Sequence, residues 1–270
     1  MSPPTLHTIE ARGLSMRVGS QTIVAPLEMT WRAGEVSAIL GPNGAGKSSL
    51  LSMLSLERKA DAGELSINAR PANGHQTGSY KSAELAKFRA VMPQASQVAF
   101  DFKVHEVVEL GRYPHRLQPS KDETLIALRA MALTQVDHLA ARALNTLSGG
   151  EKARVHLARC LTQIWEPQSA FGARWLLLDE PTASLDLAHQ QAVMQTVRRW
   201  ARDQGVGVIA VLHDLNLALR FADQAMVLQA GRCVAHGAAT TTLTPALIAQ
   251  VWGVDCHPTQ RSDGSPYLMM

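Results

Sequence analysis

Cysteine is scarce: Cys160, Cys233 and Cys256 are the three in a chain of 270 residues. Their odd number and wide spacing exclude a disulfide framework and a CxxC metal site, and reduced thiols are expected. Aromatic residues make up only 5%. No apolar run approaches the roughly 20 residues that a membrane-spanning helix needs. The longest runs cover 36–40, 175–178 and 206–212. Residues 1–12, with Pro3, Pro4 and Glu10, lack the apolar stretch of a secretory leader, so the chain is expected to stay where it is made. Neither charge sign dominates: 26 Lys and Arg against 23 Asp and Glu leave +3, which gives no ground for a nucleic-acid partner. Internal repeats and low-complexity tracts are missing as well. What remains is 46% hydrophobic and 18% charged, the balance of a globular protein long enough for one large domain or two small ones.

The first 35 residues alternate weakly around the turns at Gly19-Ser20 and Ala33-Gly34 and read as antiparallel strands. Val36-Ser37-Ala38-Ile39-Leu40 is a buried strand that runs into a glycine-rich loop. A helix follows, with Leu50, Leu51, Leu54 and Leu56 at helical spacing. From about residue 88 to 146 helical patterns take over, at 104–111, 122–132 and 135–144, punctuated by Pro114 and Pro119. Next come a helix over 149–164 with Cys160 on its apolar face, a strand over 175–179, and a helix over 187–203 stopped near Gly205. A strand over 206–212, a helix over 215–222, a strand over 225–228, a hairpin over 229–237 and a short helix over 245–252 complete the pattern. Strands separated by helices predict an α/β fold, with a mainly parallel sheet covered on both faces. Residues 254–270, polar with two prolines, read as a weakly structured end.

Three segments carry chemistry. Gly41-Pro42-Asn43-Gly44-Ala45-Gly46-Lys47-Ser48 matches GxxxxGK[ST] between a strand and a helix. Its glycines let backbone N–H groups turn inward around a phosphate chain, and the helix start presents its positive end to the same anion. Lys47 can reach the β- and γ-phosphates, and Ser48 can ligate Mg²⁺. Second, the apolar strand 175–178 ends in Asp179-Glu180-Pro181, which puts two carboxylates at the edge of a parallel sheet where ligands bind. Alone, such a pair reads as a solvated strand end. Beside a phosphate loop, Asp179 reads as a Mg²⁺ ligand and Glu180 as a general base for water. Third, Leu147-Ser148-Gly149-Gly150-Glu151 is an S-x-x-E capping box, and the same helix start with two glycines is also an anion site.

In this order, with Gln94 after Val91-Met92-Pro93, with Ser184-Leu185-Asp186, and with His213 after an apolar strand, the motifs make the sequence resemble the ATP-binding cassette (ABC) ATPases from about Ile9 to Gly237. The resemblance implies the P-loop NTPase fold: a RecA-like core with a mainly parallel sheet, an N-terminal antiparallel β-subdomain and an inserted helical subdomain. A single domain over 1–270 is expected, with core at about 1–92 and 155–237, helical insertion at about 93–154 and a C-terminal tail at about 238–270. Gly41, Pro42, Asn43, Gly44, Ala45, Gly46, Lys47, Ser48 and Ser49 are implied to cradle ATP. Ser48, Asp179 and Gln94 are implied to hold Mg²⁺, with Gln94 also touching the attacking water. Ser148, Gly149 and Gly150 are implied to bind the γ-phosphate held by a second copy, Asp186 to couple the two sites, and His213 to bond the γ-phosphate held in its own chain and keep Glu180 in register.

One position departs from the family pattern. Where the family stacks adenine on an aromatic ring, this chain has Met16-Arg17-Val18-Gly19, with Val18 at the expected place. Losing that stacking costs about 0.5–1.5 kcal/mol, which puts selectivity for ATP over GTP in question. Arg17 is the candidate to stack instead.

A single cassette resembles the separate ATPase subunit of a bacterial importer. The segment from Ala99 to His115 is similar to the permease-facing segment of importers of haem, iron-siderophores and cobalamin. Within that group the haem importer ATPases are the most similar. The shared features are a long link from Ser148 to Asp179 containing Ile164-Trp165-Glu166-Pro167 and Ala173-Arg174-Trp175, together with Arg89-Ala90-Val91-Met92 and Ala188-His189-Gln190-Gln191. The implied partners are a second copy arranged head to tail, transmembrane permease subunits and, indirectly, a periplasmic haem-binding protein, with no nucleic acid. The implied place is the cytoplasmic face of the inner membrane. Iron-siderophore or cobalamin import is the alternative, and a soluble non-transport ABC ATPase is a further one.

Overall fold

The structure is a computed structural model that describes residues 7–72, 79–94, 101–168 and 170–270. Residues 1–6 of the N-terminal stretch and Ala99 and Phe100 of the segment from Ala99 to His115 lie outside the described residues.

β1 (Thr8–Val18) and β2 (Gln21–Arg32) pair antiparallel, Val18 opposite Gln21 across the Gly19-Ser20 turn. β3 (Val36–Leu40) runs through the phosphate loop into α1 (Lys47–Leu54). β4 (Ala62–Ile67) and β5 (Arg70–Pro71) return to β1, giving a four-stranded sheet in the order β2-β1-β4-β5. Next come α2 (Ser82–Phe88) and β6 (Arg89–Met92), then α3 (Val104–Glu109), a 3₁₀ turn over Leu110–His115, α4 (Glu123–Leu133) and α5 (Gly149–Gln163). β7 (Trp175–Asp179), α6 (Leu187–Gln204), β8 (Gly207–Val211), α7 (Leu215–Phe221) and β9 (Gln224–Gln229) alternate as the sequence pattern predicts. β10 (Arg232–Ala238), α8 (Ala239–Thr242), α9 (Pro245–Trp252), β11 (His257–Gln260) and β12 (Pro266–Met269) end the chain.

The second sheet has the order β10-β9-β3-β8-β7-β6. The β9–β3, β3–β8, β8–β7 and β7–β6 pairs are parallel, and β10 closes one edge as the antiparallel arm of a hairpin. Period-two alternation splits its apolar strands between two cores. Val36, Ala38, Leu40, Leu176, Leu178, Val208 and Ala210 face the core shared with α5, α6 and α7. Ile39, Trp175, Leu177, Ile209 and Val211 face the other, shared with β1, β2 and α1. Burial on both faces is why these strands are continuously apolar. Cys160 is fully buried in the first core, as its helical pattern predicts.

The long link that follows α5 is a packed piece of the fold. Arg174 is 4% exposed and donates to the carbonyls of Ile164, Trp165 and Gln204, so one guanidinium satisfies the ends of both α5 and α6. Asn68 donates to the carbonyls of Phe171 and Ala173 and ties the link to the antiparallel sheet.

Two sequence expectations need correction. Residues 135–144 form no helix, only one-turn 3₁₀ segments at Asp137–Leu139 and Leu144–Thr146. Gln135 turns left-handed (φ 57) and stops α4. The carbonyls of Ala140 and Arg142 then accept from the amides of His105 and Val104, and the Leu144 amide donates to Phe102. Those bonds to the start of α3 take the groups a helix would have used. The end of the chain is also ordered: β11 and β12 form an antiparallel hairpin whose Leu268, with Cys256 just ahead of it, enters the first core.

α5 carries an acid-sensitive residue. His156 is 6% exposed, and neither ring nitrogen has a partner among the described residues. Burial first, then the charges of Arg159 and Lys152, lower its pKa to about 4. The unfolded chain titrates near 6.5, so it binds the proton that the folded chain refuses. The stability involved is fully present above about pH 6.5 and is lost as pH falls toward about 4, by at most about 3 kcal/mol. His156→Leu is therefore expected to flatten the acid side of the stability curve. Urea midpoints at neutral and mildly acid pH measure it, and an acid slope equal to that of the parent refutes the assignment.

Candidate functional site

The site forms at the carboxyl edge of the parallel sheet. The loop after β3 is anchored from outside: the Gly231 amide donates to Ala45 O at 3.1 Å. Gly41 (φ 146) and Gly46 (φ 97) are the positions where only glycine fits. A Cβ there would lie 2.1 Å from Leu228 O and 2.6 Å from Ile23 O. With the loop so fixed, α1 starts at Lys47 with its first amides free toward the cleft.

Lys47 is 6% exposed. Its Nζ donates to Gly41 O at 2.8 Å and Pro42 O at 3.0 Å. Burial lowers its pKa, while the charges of Glu180 and Asp179 oppose that shift. Ser48 Oγ donates to Asp179 Oδ1 at 3.1 Å. Burial, and then the neighbouring Glu180 charge, raise the Asp179 pKa against the Ser48 bond and Lys47. A half-buried carboxylate pushed up in this way favours a hard cation beside it. With the Ser48 hydroxyl and the Gln94 side chain it makes the all-oxygen donor set that suits Mg²⁺.

Glu180 sits one residue past β7 in the left-handed region (φ 51), rare for a residue with a side chain. Both carboxylate oxygens are held. Gln94 Nε2 donates to Oε2 at 2.7 Å, and His213 Nε2 lies 2.6 Å from Oε1. The three residues come from the ends of three neighbouring strands, β6, β7 and β8. Together with Asn43, Gly44, Ala45, Gly46, Lys47, Ser48 and Ser49 they line one cleft of about 640 Å³. Ile23 on β2 also lines it, which the sequence did not single out. Val18 (60% exposed) and Arg17 are not among the lining residues, and the Arg17 guanidinium donates to Ser20 O in the hairpin turn. Arg17 does not stand as a stacking residue in this conformation.

Ser148, Gly149, Gly150 and Asp186 gather elsewhere. Ser148 caps α5: its Oγ accepts from the Glu151 amide at 3.3 Å, and the Glu151 carboxylate accepts from the Ser148 amide at 2.7 Å. The hydroxyl proton of Ser148 stays available to donate. An added Cβ on Gly149 would lie 3.3 Å from Ser184 Cβ, and one on Gly150 3.0 Å from Leu185 Cδ2. Asp186 caps α6, accepting from the His189 amide at 2.9 Å. None of these four lines the phosphate cleft of its own chain.

Away from the cleft, the 3₁₀ turn after α3 and the residues that follow it carry exposed apolar side chains. Leu110 (51%), Tyr113 (60%) and Leu117 (88%) are exposed. The buried Arg112 fixes that turn from beneath through Glu123 at 2.7 Å, Glu166 at 3.0 Å and the Thr162 carbonyl at 2.9 Å.

A strand–loop–helix phosphate cradle with a pinned carboxylate, and a second glycine-containing helix start set apart on the same chain, define an ATP-binding cassette. The chain belongs to the ABC transporter family, whose model matches residues 24–183. It is 42% identical over 280 aligned residues to the hemin import ATP-binding protein HmuV of Burkholderia cenocepacia (strain HI2424), covering 97% of this chain and 99% of the relative. HmuV of Escherichia coli O157:H7 is 40% identical over 247 residues, covering 92% and 93%. Among solved structures, a dimeric post-hydrolysis state of the ATP-binding cassette MJ0796 bound to ADP and Pi matches with TM-score 0.73 at 24% identity, over 86% of this chain and 98% of that one. At that identity the likeness shows the fold.

Proposed function

We propose that the chain is the ATP-hydrolysing subunit of a bacterial haem importer, driving a separate permease from the cytoplasmic face of the inner membrane. The observation that carries hydrolysis is Glu180, held at both oxygens by Gln94 and His213 at the mouth of the Lys47–Ser48 cradle. The haem assignment is supported by relatives 40–42% identical over nearly the whole chain.

In this reading ATP is the substrate. Gly41, Pro42, Asn43, Gly44, Ala45, Gly46 and Ser49 surround its phosphates with backbone N–H groups and small side chains. Lys47 turns from the carbonyls of Gly41 and Pro42 toward the β- and γ-phosphates. Ser48, Asp179 and Gln94 would hold Mg²⁺, which when bound would supply positive charge to the phosphate oxygens. Glu180 accepts the proton of the attacking water, and His213 holds Glu180 and bonds the γ-phosphate. Affinity comes from the phosphates, since no aromatic side chain lines the described cleft. Discrimination of ATP from GTP is accordingly small.

Ser148, Gly149 and Gly150 bind the γ-phosphate of a second copy, and Asp186, beside them, couples the two sites. Two ATP molecules thus close a head-to-tail dimer, and hydrolysis opens it. The chain divides into a core over about 1–92 and 155–237, a helical insertion over about 93–154 and a tail over about 238–270. The exposed Leu110, Tyr113 and Leu117, on a turn braced by Arg112, give the permease apolar side chains to pack against. No helix among the described residues is long and apolar enough to cross a membrane, in keeping with a permease on a separate chain. A periplasmic haem-binding protein acts through that permease and does not touch this subunit.

The test is ATP turnover by the chain assembled with its permease in lipid vesicles. Haem delivered by its binding protein is expected to stimulate turnover. Stimulation by an iron-siderophore or cobalamin instead overturns the haem assignment and leaves the ATPase standing.

A further inference from the structure

α7 begins two residues after His213 and is only seven residues long. A helix of that length does not hold itself in place; tertiary bonds must fix it. At its start, Asp214 Oδ1 accepts from the amides of Asn216 at 2.7 Å and Leu217 at 3.0 Å, which ties the turn carrying His213 to the first turn of the helix. Asn216 then carries the connection outward. Its Nδ2 donates to Leu268 O at 3.0 Å, and its Oδ1 accepts from Leu268 N at 2.8 Å.

The side-chain amide therefore pairs with both backbone groups of one residue, as an adjacent strand would. Leu268 lies on β12, opposite Pro258 of β11, and its side chain is 3% exposed in the core that α7 also enters. A continuous path of short bonds runs from Glu180 to His213, along the chain to Asp214 and Asn216, and on to the C-terminal hairpin.

We propose that the C-terminal hairpin is a buttress for His213, and that Asn216 is a positioning residue for ATP hydrolysis. It acts through His213 and touches neither substrate nor metal. The inference rests on the reading of His213 as the residue that holds Glu180 at the γ-phosphate. Without the Asn216 clamp, α7 shifts on the core and carries the His213 turn with it, while the Lys47 loop, anchored at Ala45 by the Gly231 amide, stays intact.

The experiment is steady-state ATP turnover by the full chain with Mg²⁺. Asn216→Ala is expected to lower kcat about tenfold, since small misplacements of catalytic groups act at this scale. KM for ATP is expected to stay within about twofold, because ground-state phosphate contacts are untouched. Ile248→Ala, a cavity in the same core, controls for lost stability: its Tm falls while kcat holds. If Ile248→Ala loses kcat in proportion to Tm as Asn216→Ala does, or if Asn216→Ala keeps the parent kcat, the buttress is overturned. His213→Ala separates the two levels: parent turnover in that variant sinks the reading of His213 itself. Should Asn216→Ala not fold, Asn216→Asp keeps the acceptor for Leu268 N and loses the donor. The NMR resonance of the His213 imidazole, assigned by its loss in His213→Ala, is expected to move in Asn216→Asp, and an unmoved resonance overturns the proposal.

Discussion

Glu180→Gln lowers ATP turnover by about 10²–10⁴-fold, the usual contribution of a general base, while nucleotide still binds. The substitution is nearly isosteric and keeps a side chain able to accept from His213 or Gln94. What it removes is the negative charge and the proton-accepting oxygen. The backbone at φ 51 is as accessible to Gln as to Glu, so the turn after β7 is unchanged. Loss of that charge also takes away one of the groups raising the Asp179 pKa, so Asp179 ionises more readily than in the parent. Repulsion between the carboxylate and the γ-phosphate goes as well, so the variant retains ATP and accumulates as a closed dimer. Phosphate release and light scattering with ATP report both effects. Turnover at the parent rate would falsify the assignment of Glu180 as base.

The site was more legible in the sequence than parts of the fold around it. Phosphate binding needs glycine at positions such as Gly41 and Gly46, where backbone from Leu228 and Ile23 crowds in, and that need writes itself into a short contiguous motif. Asp179, Glu180 and His213 announce themselves because each follows an apolar strand. The misread pieces depend on partners distant in sequence. Residues 135–144 have helical periodicity, yet their carbonyls are taken by the amides that start α3 about 35 residues earlier. The end of the chain looks polar because its attachment to the core rests on two residues, Cys256 and Leu268. Leu268 pairs in turn with an asparagine in α7, a residue type with no reason to stand out in a helix. Ile23 reaches the cleft only because β2 packs over the loop, which no local pattern reveals.

Gly149→Asp abolishes coupled turnover, by at least about 100-fold, the scale of losing a hydrogen-bond donor aimed at developing charge, yet leaves the isolated chain's nucleotide affinity within about twofold. The expectation follows from the separation of two surfaces. Gly149 opens α5 beside Ser184 and does not line the Lys47 cleft, so binding within one chain is unaffected. An aspartate in the first turn of a helix is favourable for the helix itself, because it answers the free amides and the positive end of the dipole. The added Cβ lies 3.3 Å from Ser184 Cβ, a contact relieved by a small shift of an exposed loop. Folding is therefore preserved. Against a second copy, however, the same carboxylate occupies the place meant for a γ-phosphate and repels it. The variant binds ATP, fails to pair, and does not hydrolyse. Mixing it with Lys47→Ala chains extends the argument. One of the two composite sites in such a heterodimer combines an intact Lys47 loop with an intact Ser148-Gly149-Gly150 helix start, so the mixture recovers part of the lost turnover. A mixture as inactive as either component alone would show that ATP is not shared between copies.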